Sequence, residues 1–192
     1  MSTPPDRVLT AQAVARTCGF EYSCDDRVGQ LLAALAAAVP AHGRILELGT
    51  GVGVGTAWLV QGLGGRGDVE LVTVELDPGR AALARHHRWP GYVDFVSGDA
   101  VALLPTLGQF DLIFADAPGG KWEGLELTIA ALRPSGVLVV DDMEPQLQWT
   151  DEQAGRQEDV RRTLLDHPAL TSCELTWASG VMLSAKGPGA EA

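Results

Sequence analysis

The chain reads as one α/β domain with a doubly wound, mostly parallel sheet, and three observations lead there. A short apolar run over 45–48 breaks into Gly49, Gly51, Gly53 and Gly55, and a helix-compatible apolar pattern resumes over 56–63: strand, tight turn, helix. Further apolar runs alternate with helical patterns, as strands joined by crossover helices do. The 192 residues, 46% of them hydrophobic, suffice for one well-buried domain and are short for two.

In chain order, residues 1–8 are polar and Pro-rich and read as a loose arm, after which Thr10 is placed to cap a short helix through Arg16. Val28, Leu31, Leu32, Leu35 and Val39 recur at helical spacing, predicting a helix over 25–39 capped by Asp25 or Asp26 and stopped at Pro40. The strand and glycine turn come next. A second strand is predicted over 69–75, then a helix over 78–87 that has Pro78 in its first turn and Asp77 as its cap. A third strand, 92–96, leads through Ser97, Gly98, Asp99 and Ala100 into a helix over 101–107. The fourth strand is 110–115, a helix spans 125–132, a turn over 133–136 follows, and the fifth strand is 136–140. Residues 152–167 form an exposed amphipathic helix with Val160, Leu164 and Leu165 inward. Strands over 170–177 and 181–186 flank Ala178, Ser179 and Gly180 as a hairpin, and the tail after Gly187 is expected to be disordered.

Composition bounds the partners. A net charge of −11, with no basic cluster beyond Arg161 and Arg162, lacks the electrostatic footprint that a nucleic-acid substrate requires, so a small-molecule substrate is expected. No run approaches the roughly 18 to 20 apolar residues of a membrane span, and MSTPPDRV carries no charged-then-apolar signal pattern. The expectation is a cytoplasmic protein that does not bind membranes. The three cysteines, Cys18, Cys24 and Cys173, are odd in number and lack metal-type spacing, which fits reduced thiols.

The glycine turn is a ligand cradle, because the backbone there approaches a ligand closely and the following helix presents unpaired N–H groups. The dinucleotide fingerprint would need a further glycine at Val54 or Thr56 and has none. Glu47 stands at the strand's end, where a carboxylate repels a pyrophosphate and attracts the ammonium of an amino-acid-like ligand. S-adenosylmethionine is therefore favoured over NAD. Glu75 ends the second strand, where an acid holds both ribose hydroxyls in NAD proteins as well; the bland alternative is a solvated strand-end acid. Asp116 ends the fourth strand, while Asp111 lies about 16 Å back at the opposite edge. Asp141 and Asp142 end the fifth, so that if the two strands are neighbours three carboxylates converge. Such a trio either surrounds a cation, with oxygen ligands suiting Mg²⁺ or Ca²⁺, or raises at least one pKa; otherwise Asp141 and Asp142 are solvated loop acids.

The segment ILELGTGVGVGTAWL resembles motif I of the class I S-adenosylmethionine-dependent methyltransferases, in the version of the catechol and caffeoyl-CoA O-methyltransferase group. VTVELDP, FVSGDA, FDLIFADAPGGKW and LRPSGVLVVDDM resemble that group's later motifs in order, and the likeness covers about residues 25 to 185. It implies a Rossmann-like seven-stranded sheet of order 3-2-1-4-5-7-6 with the last strand antiparallel and helices on both faces. Residues 1–187 are then one domain, with 1–24 an arm and lid whose Phe20 to Ser23 stretch covers the methionine end of the cofactor, core packing of its two aromatics being the alternative, 25–187 the core and 188–192 a tail. The implied cofactor set is Glu47, Gly49, Thr50, Gly51, Gly53, Glu75, Leu76, Gly98, Asp99, Ala100 and Asp116. In it Asp99 and the Ala100 N–H meet the adenine, although Asp99 also suits a helix cap.

In the resembled enzymes two Asp and one Asn bind a divalent metal that chelates a vicinal diol. Asp116 and Asp141 match the two Asp, and Asp142 replaces the Asn, so the implied metal set is Asp116, Asp141 and Asp142 with Mg²⁺. The group's general base is a Lys three residues after the Asp; Gly119 stands there, and Lys121 follows on a Pro-Gly-Gly loop. Asp116 and Lys121 are the catalytic candidates, a surface or ion-paired lysine being the alternative for Lys121. Trp122 and the segment 143–151 with Trp149 are candidates for the acceptor wall. The expected reaction is methyl transfer to a hydroxyl of a small, aromatic molecule, and a homodimer is expected by analogy. The alternatives are a metal-independent N- or O-methyltransferase, a NAD(P)-binding oxidoreductase, and a cofactor-binding protein without catalysis.

Overall fold

The computed structural model describes residues 3–145 and 149–189; 146–148 of the expected specificity segment and 190–192 of the expected tail lie outside the described residues. Helices α1 (Asp6–Cys18) and α2 (Asp26–Ala38) lead into β1 (Arg44–Leu48), α3 (Val54–Leu63), β2 (Glu70–Glu75), α4 (Pro78–Arg85) and β3 (Val93–Ser97). There follow α5 (Ala100–Leu107), β4 (Phe110–Ala115), the single turn α6 (Pro118–Lys121), α7 (Leu125–Ala130), β5 (Leu132–Val140), α8 (Asp151–Asp166), β6 (Leu170–Leu175) and β7 (Val181–Lys186). The strands form one seven-stranded sheet in the order β3-β2-β1-β4-β5-β7-β6. β1 pairs in parallel with β2 and β4, β2 with β3 and β4 with β5, while β7 runs antiparallel between β5 and β6. The carboxyl ends of five parallel strands therefore open on one edge, where ligands bind in such sheets.

Two buried layers hold the sheet. One face packs Ile45, Leu71, Leu112 and Phe114 under α1, α2 and α3; the other packs Leu46, Leu48, Ile113 and Leu138 under α5, α7 and α8. β1 and β4, buried on both faces, are continuous apolar runs, as central parallel strands must be. α2 and α3 approach closely because Gly29 has no side chain: a Cβ there would fall 2.2 Å from the Trp58 ring. The predicted caps form, with Asp25 accepting from Arg27 N, Asp77 from Arg80 N and Asp99 from Val101 N. Among the described residues no helix is long and apolar enough to cross a membrane.

Three local expectations are corrected. α1 starts at Asp6, behind Pro5, and Thr10 is interior with its hydroxyl donating to Asp6 O; the acid and the proline outrank the threonine as a start signal. β5 begins at Leu132 and not at Gly136, because Leu132 pairs with Phe110 across a register shift that absorbs the turn-like Arg133-Pro134-Ser135 stretch. In α8 Leu165 is exposed, and the inward stripe is Gln157, Val160 and Leu164.

Candidate active site

A cleft of about 700 Å³ runs along the carboxyl ends of the strands. Its walls are the glycine turn after β1, the ends of β2, β3 and β4, the Phe20 to Cys24 connection, α6 and the first turn of α8. Every predicted cofactor residue lines it: Glu47, Gly49, Thr50, Gly51, Glu75, Leu76, Gly98, Asp99, Ala100 and Asp116, with the one exception of Gly53, which caps α3 behind the turn. Of the predicted catalytic and metal residues, Asp116, Lys121 and Asp142 line it, whereas Asp141 is buried and is not among its lining residues.

At the β1 end Glu47 is 0% exposed. Its Oε2 accepts from the hydroxyls of Thr56 and Thr73, but its Oε1 is buried with no partner. Burial pushes this carboxyl up to about 7 against those two hydrogen bonds, with Glu75 adding repulsion. A buried, half-satisfied carboxylate facing a cleft is a receptor for a cation. Gly49 is required here because β1 and β4 end so close together that a Cβ would lie 2.7 Å from Asp116 O. Glu75 Oε2 accepts from Gly51 N at 2.8 Å, and its Oε1 accepts from Asp77 N at 2.9 Å and pairs with Arg80 at 3.1 Å. Asp99 Oδ1 is committed to capping α5, which leaves both readings of that residue in place. Over the glycine turn, Phe20 packs within 2.9 Å of where a Gly51 Cβ would be, and the Arg80 guanidinium lies 5.8 Å from its ring.

At the β4 end the Asp116 carboxyl is held well above the ordinary carboxylate range by burial and by the charge of Asp141, with Lys121 pulling the other way. Lys121 is 4% exposed and donates to Asp141 O at 3.2 Å. Asp141 Oδ1 accepts from Ser179 Oγ, in the β6–β7 hairpin, and from Asp142 N at 2.7 Å. Burial raises Asp141 to about 6, Ser179 opposing. Asp142 adopts φ 58, a strained conformation for a non-glycine residue, at the cleft wall.

The model of a methyltransferase domain family matches residues 46–143, just over half of the chain. The chain belongs to that methyltransferase family. It is 38% identical over 122 residues to the catechol O-methyltransferase of Mycobacterium tuberculosis, covering 60% of this chain and 54% of that one. It is 35% identical over 135 residues to the catechol O-methyltransferase of Niastella koreensis, covering 65% of this chain and 58% of that one. The chain thus spans about half the length of the curated relatives it matches. Among solved structures, the cofactor-bound Rv0187 from MTB superposes with a TM-score of 0.84 at 28% identity, covering 97% of this chain and 92% of that one.

The metal set implied for this methyltransferase does not fit the side chains as they stand. Among the described residues no group of three or more His, Cys, Asp and Glu is placed to hold a metal ion. Asp141 is turned toward Ser179, and the cation beside it is Lys121. Reading the chain alone misses Ser179, Arg80, Thr56 and Thr73, each a partner of a predicted acid that arrives from a different element. It also misses Gln157, whose side chain accepts from the Trp122 indole N–H and donates to Asp142 O, tying α8 to two residues that line the cleft. Only a polar residue on the apolar stripe of α8 signals it.

Proposed function

We propose that this methyltransferase moves the methyl group of S-adenosylmethionine to a hydroxyl oxygen of a small aromatic molecule. The observation that carries the reading is the buried, unpartnered Oε1 of Glu47 at the end of β1, an anionic receptor for the α-ammonium of the cofactor's amino-acid end. Glu75 lies across the glycine turn for the ribose hydroxyls, and Gly98, Asp99 and Ala100 border the far end of the cleft for the base. This leaves the sulfonium beside Asp116 and Lys121, with Trp122, Trp149 and Tyr22 around the remaining space for a planar acceptor. The acceptor oxygen attacks the methyl carbon, the carbon–sulfur bond breaks, and S-adenosylhomocysteine leaves neutral at sulfur. The hydroxyl proton passes to Asp116, which faces the cleft, while Lys121, a hydrogen-bond donor in place, stabilises the oxygen's developing negative charge. Binding both partners in line supplies most of the rate. A relative named catechol O-methyltransferase supports the choice of oxygen and of an aromatic acceptor.

Titration calorimetry with S-adenosylhomocysteine, followed by turnover of catechol-type acceptors monitored through S-adenosylhomocysteine release, tests this. Micromolar binding and product formation are expected; a protein that binds no S-adenosylhomocysteine overturns it.

A further inference from the structure

Lys121 is buried for a reason that the backbone around it makes visible. Gly120 has φ 91, and a Cβ there would fall 2.4 Å from Leu48 Cδ1, so the loop after Asp116 is folded tightly against the end of β1. Gly120 O accepts from Thr128 Oγ1 at 2.8 Å, Gly120 N donates to Glu123 O at 2.7 Å, and Trp122 N donates to Pro118 O at 2.8 Å. The loop is fastened from both sides and delivers the lysine inward, where its ammonium donates to Asp141 O. The Trp122 ring lies 5.5 Å from the ammonium. Around it stand Asp116 from β4 and Asp141 and Asp142 after β5, and the Lys121 charge acts on both Asp116 and Asp141. A second cation would meet Asp141 Oδ1 already engaged by Ser179 and Asp142 N, and would be repelled by the ammonium at short range in a poorly solvated site.

We infer that Lys121 is the resident cation of this acid cluster and takes the place of a divalent metal, so that the acceptor oxygen is oriented and stabilised by an ammonium and methyl transfer proceeds without added metal. The inference builds on the methyltransferase reading for the acceptor's position, but the cluster's need for one built-in positive charge stands apart from it. Lysine is suited to the role, since it is a compact point charge with three donors on a stem long enough to cross from α6 to the end of β5.

The test uses the full chain in three arms. Mn²⁺ and Mg²⁺ are titrated calorimetrically into wild type and Lys121→Gln without cofactor; turnover of a catechol-type acceptor is measured with and without EDTA; S-adenosylhomocysteine affinity is measured for both proteins. Expected are no saturable metal binding by wild type at submillimolar concentration, turnover insensitive to EDTA, and a kcat lowered about a hundredfold in Lys121→Gln, the scale of losing one charge-stabilising donor. Added Mn²⁺ should leave wild-type turnover unchanged. Stoichiometric Mn²⁺ binding by wild type that Asp141→Ala removes, or turnover abolished by EDTA, overturns the inference. If Lys121→Gln does not fold, Lys121→Arg, which keeps the charge, takes its place and should retain EDTA-insensitive turnover. Failure to bind S-adenosylhomocysteine would instead remove the methyltransferase reading, and the metal titration, made on the cofactor-free chain, would still decide the cation.

Discussion

Glu47→Gln keeps the shape of a fully buried side chain and removes its titration, which separates what the carboxyl does for the fold from what it does for the cofactor. In the free protein burial raises this group from 4.5 to about 7. A carboxyl raised in the folded state favours folding while protonated, so its contribution is complete below about pH 4.5 and is lost as pH rises through about 7. At about 1.4 kcal/mol per pH unit, ionisation of Glu47 costs the free protein about 3 kcal/mol at pH 8. A cofactor ammonium seated at the unpartnered Oε1, as proposed, would reverse the preference by stabilising the carboxylate. Binding must then expel a proton below pH 7, and affinity for S-adenosylhomocysteine should rise about tenfold per pH unit from pH 5.5 toward pH 7 and level off above it. Calorimetry in two buffers of different ionisation enthalpy reads the proton directly, with release approaching one per ligand at pH 6. In Glu47→Gln the pH slope and the released proton should vanish. Affinity should fall by about 2 to 3 kcal/mol, the scale of a hydrogen bond to a charged group, and the free protein should gain stability at pH 8. A wild-type affinity flat from pH 5.5 to pH 7, or a glutamine variant that binds as tightly as wild type, would refute an ammonium site at Glu47.

Other substitutions probe the frame and the cleft wall. Gln157→Leu strands the Trp122 indole N–H and Asp142 O, so KM for the acceptor should rise while S-adenosylhomocysteine affinity stays unchanged, with a stability loss of about 1 to 3 kcal/mol in urea unfolding. Gly29→Ala drives a methyl into the Trp58 ring and should cost about 1 to 3 kcal/mol by the same assay. Gly155→Ala, in α8 with open space around its Cβ, should stabilise by about 0.5 to 1 kcal/mol. Arg80→Ala removes the ion-pair partner of Glu75 and should weaken S-adenosylhomocysteine binding severalfold, leaving acceptor KM within error; an unchanged affinity would show that Glu75 needs no help from α4.

What sequence reveals here divides by the kind of information each element needs. β4 and β7 match their predicted spans to the residue because an apolar run closed by turn residues is a local signal, and Asp25, Asp77 and Asp99 cap their helices for the same local reason. The start of β5 needs a partner: Arg133-Pro134-Ser135-Gly136 has turn chemistry, and only the pairing of Leu132 with Phe110 makes it strand. The candidate site divides the same way. Strand ends place Glu47, Glu75, Asp116, Asp141 and Asp142 along one edge, since position along a parallel strand is a matter of counting.

Direction is another matter. Asp141 points at a serine 38 residues away in the hairpin, and that contact exists only because β7 inserts between β5 and β6. Lys121 is visible in the chain as a cation after a proline and two glycines, a pattern equally fit for an exposed loop. What turns it inward is the tight packing of Gly120 on Leu48 and the grip of Thr128 from α7. Three acids at strand ends therefore show where positive charge is needed without saying what supplies it. In this chain the supply is covalent, since a lysine tethered five residues after Asp116 reaches the cluster at high effective concentration and does not have to compete for a dissolved ion. The tethered ammonium also donates to Asp141 O at the end of β5, and the glutamine and arginine variants of Lys121 respectively remove and keep its charge there.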